Sequence, residues 1–181
     1  MDFDYLFRIA VNGPSFAGKT SLIYRLAEDV FVSNVLMTIG IDFKFAYRTI
    51  EDSLVRYMLV SLMQWDRVGS ERFRNTSYYR NVLGIAIVYD CTNLIDFYSL
   101  TRDYIGPAIQ SKEECTVLAL VATKIDLEER TVTRAMGQQL AEESGFLYFE
   151  TSALDGTGVQ DMLAQIGTEI RRRVREKADH L

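Results

Sequence analysis

Histidine and cysteine are scarce in this sequence. The single histidine, His180, lies beside the C-terminus, so catalysis by histidine and metal binding by a histidine cluster are poorly supported. The two cysteines, Cys91 and Cys115, lie beside apolar runs that are typical of strands. We expect them to be buried free thiols rather than a disulfide, which favours a reducing, cytoplasmic setting.

An excess of positive charge and long hydrophobic runs are also missing. The formal net charge is −5, which argues against general affinity for nucleic acid, because phosphate neutralisation requires a basic surface. No apolar run approaches the roughly 20 residues that cross a bilayer, and no basic segment followed by an apolar one marks an N-terminal leader. The apolar share of 48% and the charged share of 25% are ordinary for a soluble globular protein. We expect one domain over residues 1–181.

The apolar pattern alternates between strand-like and helix-like segments. Predicted strands lie at 6–11, 41–50, 55–65, 82–89, 117–122 and 146–149. The continuous apolar runs among them are typical of parallel strands that are covered on both faces. Predicted helices lie at 19–28, 94–105, 133–144 and 159–174. This alternation predicts an α/β fold in which ligands bind beyond the carboxyl ends of the strands.

Segment 13–20, GPSFAGKT, follows the first predicted strand and has the phosphate-loop pattern of two glycines, a lysine and a threonine. Glycines allow backbone amides to curve around a phosphate, and the N-terminus of the next helix directs free N–H groups at the anion. Lys19 is expected to reach the outer phosphates, and Thr20 to bind magnesium. A glycine turn that caps a helix is the alternative, but the predicted strand and helix on either side favour a nucleoside triphosphate site.

Loops after three other predicted strands carry residues that fit a guanine nucleotide. After Trp65, Asp66 is suited to hold magnesium through water, and Gly69 allows the backbone to approach a terminal phosphate closely. In segment 123–126, TKID, the Asp126 carboxylate can accept hydrogen bonds from N1 and N2 of guanine, which adenine does not offer.

The stem of Lys124 would pack on the face of the same nucleotide. In segment 150–154, ETSAL, the backbone N–H of Ala153 would meet guanine O6. Taken alone, a tetrapeptide such as TKID at 123–126 is more often a turn or a helix cap than a base-binding motif. The order of these loops behind the phosphate loop favours binding of the base.

Four short segments resemble the Ras superfamily of small GTPases, and its Rab branch in particular. They are 38–44 (TIGIDFK), 65–66 (WD), 71–74 (ERFR) and 77–80 (SYYR). The resemblance extends over nearly all of residues 6–175. It implies a phosphate-loop G domain, with a mostly parallel six-stranded sheet that contains one antiparallel strand and is flanked by about five helices.

The resemblance also assigns residues to the two switches. Thr38 would bind magnesium and sense the γ-phosphate in switch I, and segment 66–69 would open switch II. Phe31 falls where the family places an aromatic edge against the guanine base.

Three further aromatic residues match the positions that Rab effectors contact. These are Phe43, Trp65 and Tyr78, called the aromatic triad below. Plain core packing is the alternative explanation, since buried aromatic residues are common in any core.

The complete set of predicted site residues combines these motifs. The nucleotide contacts are Gly13, Ser15, Phe16, Ala17, Gly18, Lys19, Thr20, Ser21, Phe31, Thr38, Gly69, Thr123, Lys124, Asp126, Leu127, Ser152, Ala153 and Leu154. The magnesium ligands are Thr20, Thr38 and Asp66, and the catalytic residues are Ser70, Lys19 and Gly69. The predicted cofactors are therefore GTP or GDP and Mg²⁺.

Switch II departs from the usual Rab sequence WDTAGQE. Ser70 replaces the glutamine that orients the attacking water, and Arg67 and Val68 also differ from the family. Because the serine side chain is too short to reach the same point, we expect intrinsic hydrolysis at or below about 10⁻⁴ s⁻¹. Thr123 replaces the usual asparagine, a change that Rho-type relatives tolerate, so guanine selectivity is expected to survive.

Two functions are compatible with these features. The first is a regulatory GTPase that controls vesicle and membrane traffic through effectors that bind the switches. The second is a hydrolysis-deficient module that binds nucleotide for structural reasons and presents the same effector face, and Ser70, Arg67 and Val68 motivate it. A small-molecule kinase would require a second substrate pocket and an acceptor-activating base, for which the sequence offers no candidate.

The expected partners are effectors, an exchange factor and an activating protein, which would bind at the switches and the aromatic triad. Nucleic acid is not expected, and the protein is expected to be a monomer. Rab proteins carry prenylated cysteines on a flexible tail, whereas this sequence ends at Leu181 without one. Attachment to the cytosolic face of an endomembrane is therefore expected only if a tail is missing from this chain, and the protein is otherwise expected to be cytoplasmic. The basic residues of 171–177 are expected to be a solvated helix end rather than a lipid patch.

Overall fold

The computed structural model describes residues 2–33, 42–61 and 79–180. In chain order they form β1 (Tyr5–Asn12), α1 (Lys19–Glu28), β2 (Asp42–Ile50), β3 (Ser53–Ser61), β4 (Gly84–Asp90), α2 (Leu94–Leu100), a π-helical turn (Thr101–Ile105), α3 (Gly106–Ser111), β5 (Val117–Thr123), α4 (Arg134–Ser144), β6 (Leu147–Glu150) and α5 (Val159–Asp179). Because α2, the π-helical turn and α3 adjoin, these described residues contain four separate helical stretches.

The strands of the described residues form one sheet in the order β2-β3-β1-β4-β5-β6. β2 pairs antiparallel with β3, and the other pairings are parallel. The predicted fold class, a mostly parallel six-stranded sheet with one antiparallel strand, is therefore confirmed. Since the parallel strands run in one direction, the loops that follow β1, β4, β5 and β6 meet at a single edge of the sheet.

Two apolar layers cover the sheet, one on each face. Ala86 and Val88 of β4 enter the layer beneath α1 and α5, whereas Ile85 and Ile87 enter the layer beneath α2, α3 and α4. β5 is buried along its whole length, as the continuous apolar run predicted. A sheet that is packed on both faces gives the loops at its carboxyl edge a fixed base.

Helix ends follow local backbone chemistry. Gly18, with a left-handed φ of 86°, precedes α1, and Asp29, with a φ of 55°, ends it. The Thr133 hydroxyl caps α4 by accepting a hydrogen bond from the Met136 amide at 3.2 Å. The predicted bounds of α1 are therefore confirmed, and the predicted helix at 133–144 begins one residue later because Thr133 is its cap.

The helix predicted at 94–105 continues to Ser111, although a Gly106-Pro107 pair usually ends a helix. In the π-helical turn the Gly106 amide bonds to the carbonyl of Thr101, five residues back. This wider turn resets the hydrogen-bond pattern, so that Pro107 lies in the first turn of α3, where its missing N–H costs no bond.

Both cysteines are free thiols, as predicted. Cys91 is buried beside the end of β4, whereas Cys115 is half-buried and thus less enclosed than expected. Their compartment stays a prediction.

Candidate nucleotide-binding site

A cavity of about 500 Å³ opens at the carboxyl edge of the sheet, a volume typical of small-molecule sites. The predicted nucleotide contacts that line it are Gly13, Ser15, Phe16, Gly18, Lys19, Thr20, Ser21, Phe31, Thr123, Lys124, Asp126, Leu127, Ala153 and Leu154. The fold thus brings the phosphate loop and both loops that are predicted to bind the base to one place.

The phosphate loop requires glycine at its first position. Gly13 has a φ of 146°, and a Cβ there would lie 2.0 Å from the carbonyl oxygen of Val88 in β4. No side chain fits that space, so Gly13 lets the loop turn directly against the sheet. Gly18 opens α1 in a conformation that also favours glycine, which leaves the first amides of the helix directed at the cavity.

Phe16 lies in the middle of the phosphate loop with a φ of 62°, a conformation that is unusual for a bulky residue. Its ring is 75% exposed and lies on the wall of the cavity. The ring therefore does not fill the hollow that the loop encloses.

Lys19 crosses its own loop. Its Nζ donates hydrogen bonds to the carbonyl oxygens of Gly13 at 2.8 Å and Pro14 at 2.6 Å. An ammonium has three donors, so one remains for a ligand in the cavity. Burial lowers the pKa of Lys19 to about 8, an effect that the Asp96 carboxylate partly opposes.

Thr123 connects the base-binding loop to the phosphate loop. Its buried Oγ1 lies 2.7 Å from the carbonyl oxygen of Ala17 and 3.0 Å from that of Tyr89. The Ala17 side chain is buried and does not line the cavity, and the predicted contact of Ala17 with the nucleotide stays a prediction.

Lys124 is held on the cavity wall by an ion pair. Its Nζ donates to Oδ2 of Asp90, the last residue of β4, at 2.5 Å. Burial alone would raise the pKa of Asp90, but hydrogen bonds from Lys124 and Thr92 outweigh it and lower the pKa. The Lys124 ammonium is thus anchored to the sheet, and the residue lines the cavity.

Asp126 is exposed on the cavity wall, and Ser152 orients it. The Ser152 hydroxyl donates to Oδ1 of Asp126 at 2.6 Å. Ser152 is completely buried, so it does not line the cavity as a contact but holds the carboxylate that does.

Sequence reasoning missed three residues that line the cavity. Val32 and Ser33 follow α1, and Ser61 ends β3. The Ser21 hydroxyl donates to the Val32 carbonyl at 3.1 Å and holds that segment beside the first turn of α1. The strand predicted at 55–65 concealed Ser61, whereas the return of the chain past α1 leaves no local signal.

Several predicted residues lie outside the described part of the chain. They are Thr38, Asp66, Gly69 and Ser70, together with Trp65 and Tyr78 of the aromatic triad. Phe43, the triad member that the structure describes, is 52% exposed on β2 and contacts Phe45 edge to face. Core packing therefore does not explain Phe43.

The basic residues of 171–177 each have an acidic partner. The pairs are Arg171–Glu51, Arg172–Glu169, Arg173–Glu169, Arg175–Glu51 and Lys177–Glu114. Arg171 departs from the expected solvated end, because its side chain is buried and donates to the carbonyl of Ile50. In residues 2–33, 42–61 and 79–180, no helix combines the length and the apolar character that a membrane span requires.

Known proteins are similar to this chain over nearly its whole length. The sequence matches a family model described as Ras family over residues 8–172. It is 38% identical over 179 residues to the Ras-related protein RABE1d of Arabidopsis thaliana, covering 97% of this chain and 80% of the relative. It is 36% identical over 177 residues to the GTP-binding protein yptV2 of Volvox carteri, covering 96% and 79%. It is 37% identical over 181 residues to the Ras-related protein Rab-3A of Homo sapiens, covering 98% and 80%.

Proposed function

The chain belongs to the Ras family, and we propose that it is a Rab-type switch that binds GTP or GDP with Mg²⁺ and regulates vesicle and membrane traffic. One observation carries this proposal: a phosphate loop and a carboxylate suited to guanine line the same cavity. The name of the Volvox relative, a GTP-binding protein, supports the choice of nucleotide.

Each end of the cavity has its own task in this proposal. At the phosphate end, the amides around Gly18 and the free donor of Lys19 bind the anion. At the base end, Asp126 accepts from guanine N1 and N2, and the Ala153 amide donates to O6. Lys124 covers a face of the nucleotide from its anchor on Asp90.

One of the three proposed magnesium ligands, Thr20, lies among the residues that the structure describes. Thr20 lies on the cavity wall in the first turn of α1, where its hydroxyl can reach an ion beside the outer phosphates. Thr38 and Asp66 complete the proposed set on sequence grounds. When bound, Mg²⁺ neutralises charge on the phosphates.

Hydrolysis in this proposal is slow. Lys19 stabilises phosphate charge, Gly69 allows the backbone to approach the terminal phosphate, and Ser70 stands where relatives carry a water-orienting glutamine. An activating protein that brings its own arginine and glutamine would restore the missing groups in trans.

The proposed partners read the state of the switches. Effectors, an exchange factor and an activating protein bind around the switches and the aromatic triad, where Phe43 presents an exposed ring. We place the protein in the cytoplasm as a single-domain monomer, and on the cytosolic face of an endomembrane if a lipid-modified tail belongs to it.

Identification of the bound nucleotide tests the guanine assignment. The protein is purified without added nucleotide, denatured, and its ligand is separated by chromatography; binding of GDP and ADP is then measured by calorimetry with and without Mg²⁺. We expect guanine nucleotide and a clear preference for GDP, which Asp126→Ala removes. Recovery of adenine nucleotide, or equal affinity for ADP, would overturn the proposal.

A second candidate is a hydrolysis-deficient module that uses the same effector face, and Ser70 favours it. Such a module has no need for two switch conformations. Hydrogen exchange of residues 34–41 and 62–78 is measured in the protein bound to GDP and in the protein bound to a non-hydrolysable GTP analogue. The comparison distinguishes the switch from the module. A state-dependent difference in protection supports the switch, and equal protection supports the module.

A further inference from the structure

Arg25, in the last turn of α1, contacts the loop that follows β6. Its Nε donates to the carbonyl oxygen of Ala153 at 2.8 Å, and its Nη2 donates to that of Leu154 at 2.9 Å. Its Nη1 donates to the carbonyl oxygen of Asp29 at 2.8 Å, where α1 ends. The Arg25 side chain is only 15% exposed, although Asp29 and Leu154, two of the three residues whose carbonyl oxygens it binds, are exposed.

The two loop carbonyls that Arg25 binds belong to residues on the cavity wall. Ala153 and Leu154 both line the cavity. Just before them, the Ser152 amide donates to the carbonyl of Thr157 at 2.9 Å, so the loop is already fixed on that side. Arg25 fixes it on the other side, and the backbone of Ala153 is held from both directions.

The geometry suits arginine in particular. A planar guanidinium presents donors in several directions at fixed angles, and here three main-chain oxygens occupy them. The loop also packs on the arginine stem, since a Cβ added to Gly156 would lie 3.9 Å from Cδ of Arg25. A lysine offers one nitrogen and cannot satisfy the same three acceptors.

We propose that Arg25 is a positioning residue for purine recognition: it holds the Ala153 amide where it meets the exocyclic group at position 6 of the base. This inference rests on the proposed function, because it requires a guanine nucleotide in the cavity. It also gives α1 two roles. The first turn of the helix presents Lys19 and Thr20 to the cavity, and Arg25 in its last turn positions the loop that follows β6.

The ion pair of Arg25 with Asp29 provides a matched control. Nη1 lies 3.2 Å from Oδ1 of Asp29, a carboxylate that is 82% exposed. An exposed pair of this kind contributes little. Asp29→Ala removes the ion pair but leaves the three carbonyl bonds, so it separates loop positioning from charge.

The test compares GDP with 6-thioguanosine diphosphate, in which a poorly accepting sulfur replaces O6 while N1–H and N2 remain. Dissociation constants are measured by calorimetry for the complete chain and for Arg25→Ala, Arg25→Lys and Asp29→Ala. In the unmodified protein we expect GDP to bind about tenfold more tightly than the thio analogue, which corresponds to one well-placed hydrogen bond. Arg25→Ala should reduce this ratio below about threefold, Arg25→Lys should give an intermediate value, and Asp29→Ala should leave it unchanged.

The ratio of the two dissociation constants is the appropriate readout, because a general loss of stability weakens the binding of both ligands equally. If Arg25→Ala does not fold, Arg25→Lys carries the comparison alone. A variant ratio equal to that of the unmodified protein would overturn the positioning role while leaving the proposed function intact. Failure of the unmodified protein to bind GDP would overturn the proposed function and the inference with it.

Discussion

Ser152 donates a hydrogen bond of 2.6 Å from its hydroxyl to Oδ1 of Asp126. The serine is completely buried and follows β6, whereas the aspartate is exposed and follows β5. A buried side chain thus fixes the direction of an exposed carboxylate that would otherwise rotate freely. The bond uses Oδ1 of Asp126, a residue that lines the cavity.

Ser152→Ala should weaken guanine binding. Without its donor the Asp126 carboxylate must be ordered when the ligand binds, so we expect the dissociation constant for GDP to rise about tenfold. Calorimetry of GDP and ADP measures the change, and ADP affinity should not fall. Thr168→Ala, which removes a hydroxyl from the exposed face of α5, is the control. Unchanged GDP affinity would contradict this role for Ser152.

Gly167→Ala should destabilise the fold. A Cβ at Gly167 would lie 1.8 Å from the Tyr57 hydroxyl oxygen and 2.6 Å from Cδ1 of Ile50, so we expect a loss of about 2 kcal/mol in the free energy of unfolding. Chemical denaturation measures it.

Tyr57→Phe should recover part of that loss. The Tyr57 hydroxyl is buried without a hydrogen-bond partner among the described residues, and burial raises its pKa. Its removal alone should therefore cost little, and should open space for the new methyl group. Equal losses in Gly167→Ala with and without Tyr57→Phe would show that the clash lies elsewhere.

Phe16→Gly should stabilise the protein. Phe16 adopts a positive φ, which costs a bulky residue of order 1–3 kcal/mol, and its exposed ring recovers little of this by burial. After the greater backbone entropy of glycine is subtracted, we expect a gain of about 1 kcal/mol in the free energy of unfolding, measured after removal of nucleotide. Phe16→Asn should give a smaller gain, and Phe31→Ala, where no positive φ is relieved, should give none. A loss of stability in Phe16→Gly would refute the strain.

Glu169→Gln should lower stability in a way that depends on pH. Hydrogen bonds from Arg172, and then from Arg173, lower the pKa of Glu169 from 4.5 to about 2. Because the folded pKa is the lower one, the stabilisation is complete above pH 4.5 and is lost as the pH falls towards 2. We expect a loss of about 1 kcal/mol at pH 7 that becomes smaller by about pH 3, measured by denaturation at each pH. Glu176→Gln, at a more exposed partner of Arg172, should show a smaller effect.

Ser70→Gln should accelerate GTP hydrolysis. Single-turnover assays of the unmodified chain should give about 10⁻⁴ s⁻¹ or less, and restoring the glutamine should raise this about tenfold by orienting water. GDP affinity should stay constant, which separates catalysis from binding. A fast unmodified protein would refute the role assigned to position 70 of this chain.

The phosphate loop could be predicted from the sequence because its residue types answer local requirements. Gly13 avoids a clash with the backbone of β4, and Gly18 allows a left-handed turn. Both requirements place glycine at fixed positions in the sequence. The clamp by Arg25 could not be predicted, because it joins residues 128 positions apart that only the completed fold brings together. The helix through Pro107 was missed for another reason: local rules end a helix there, and a π-helical turn compensates for the missing donor.

Thr123 has one hydroxyl proton and two acceptors within reach, the carbonyl oxygens of Ala17 and Tyr89. This single hydroxyl therefore links the phosphate loop to the loop that begins at the end of β5. A partner that displaces one of these two loops should therefore loosen the other loop as well. Movement at one edge of the cavity should then weaken binding at both ends of the nucleotide.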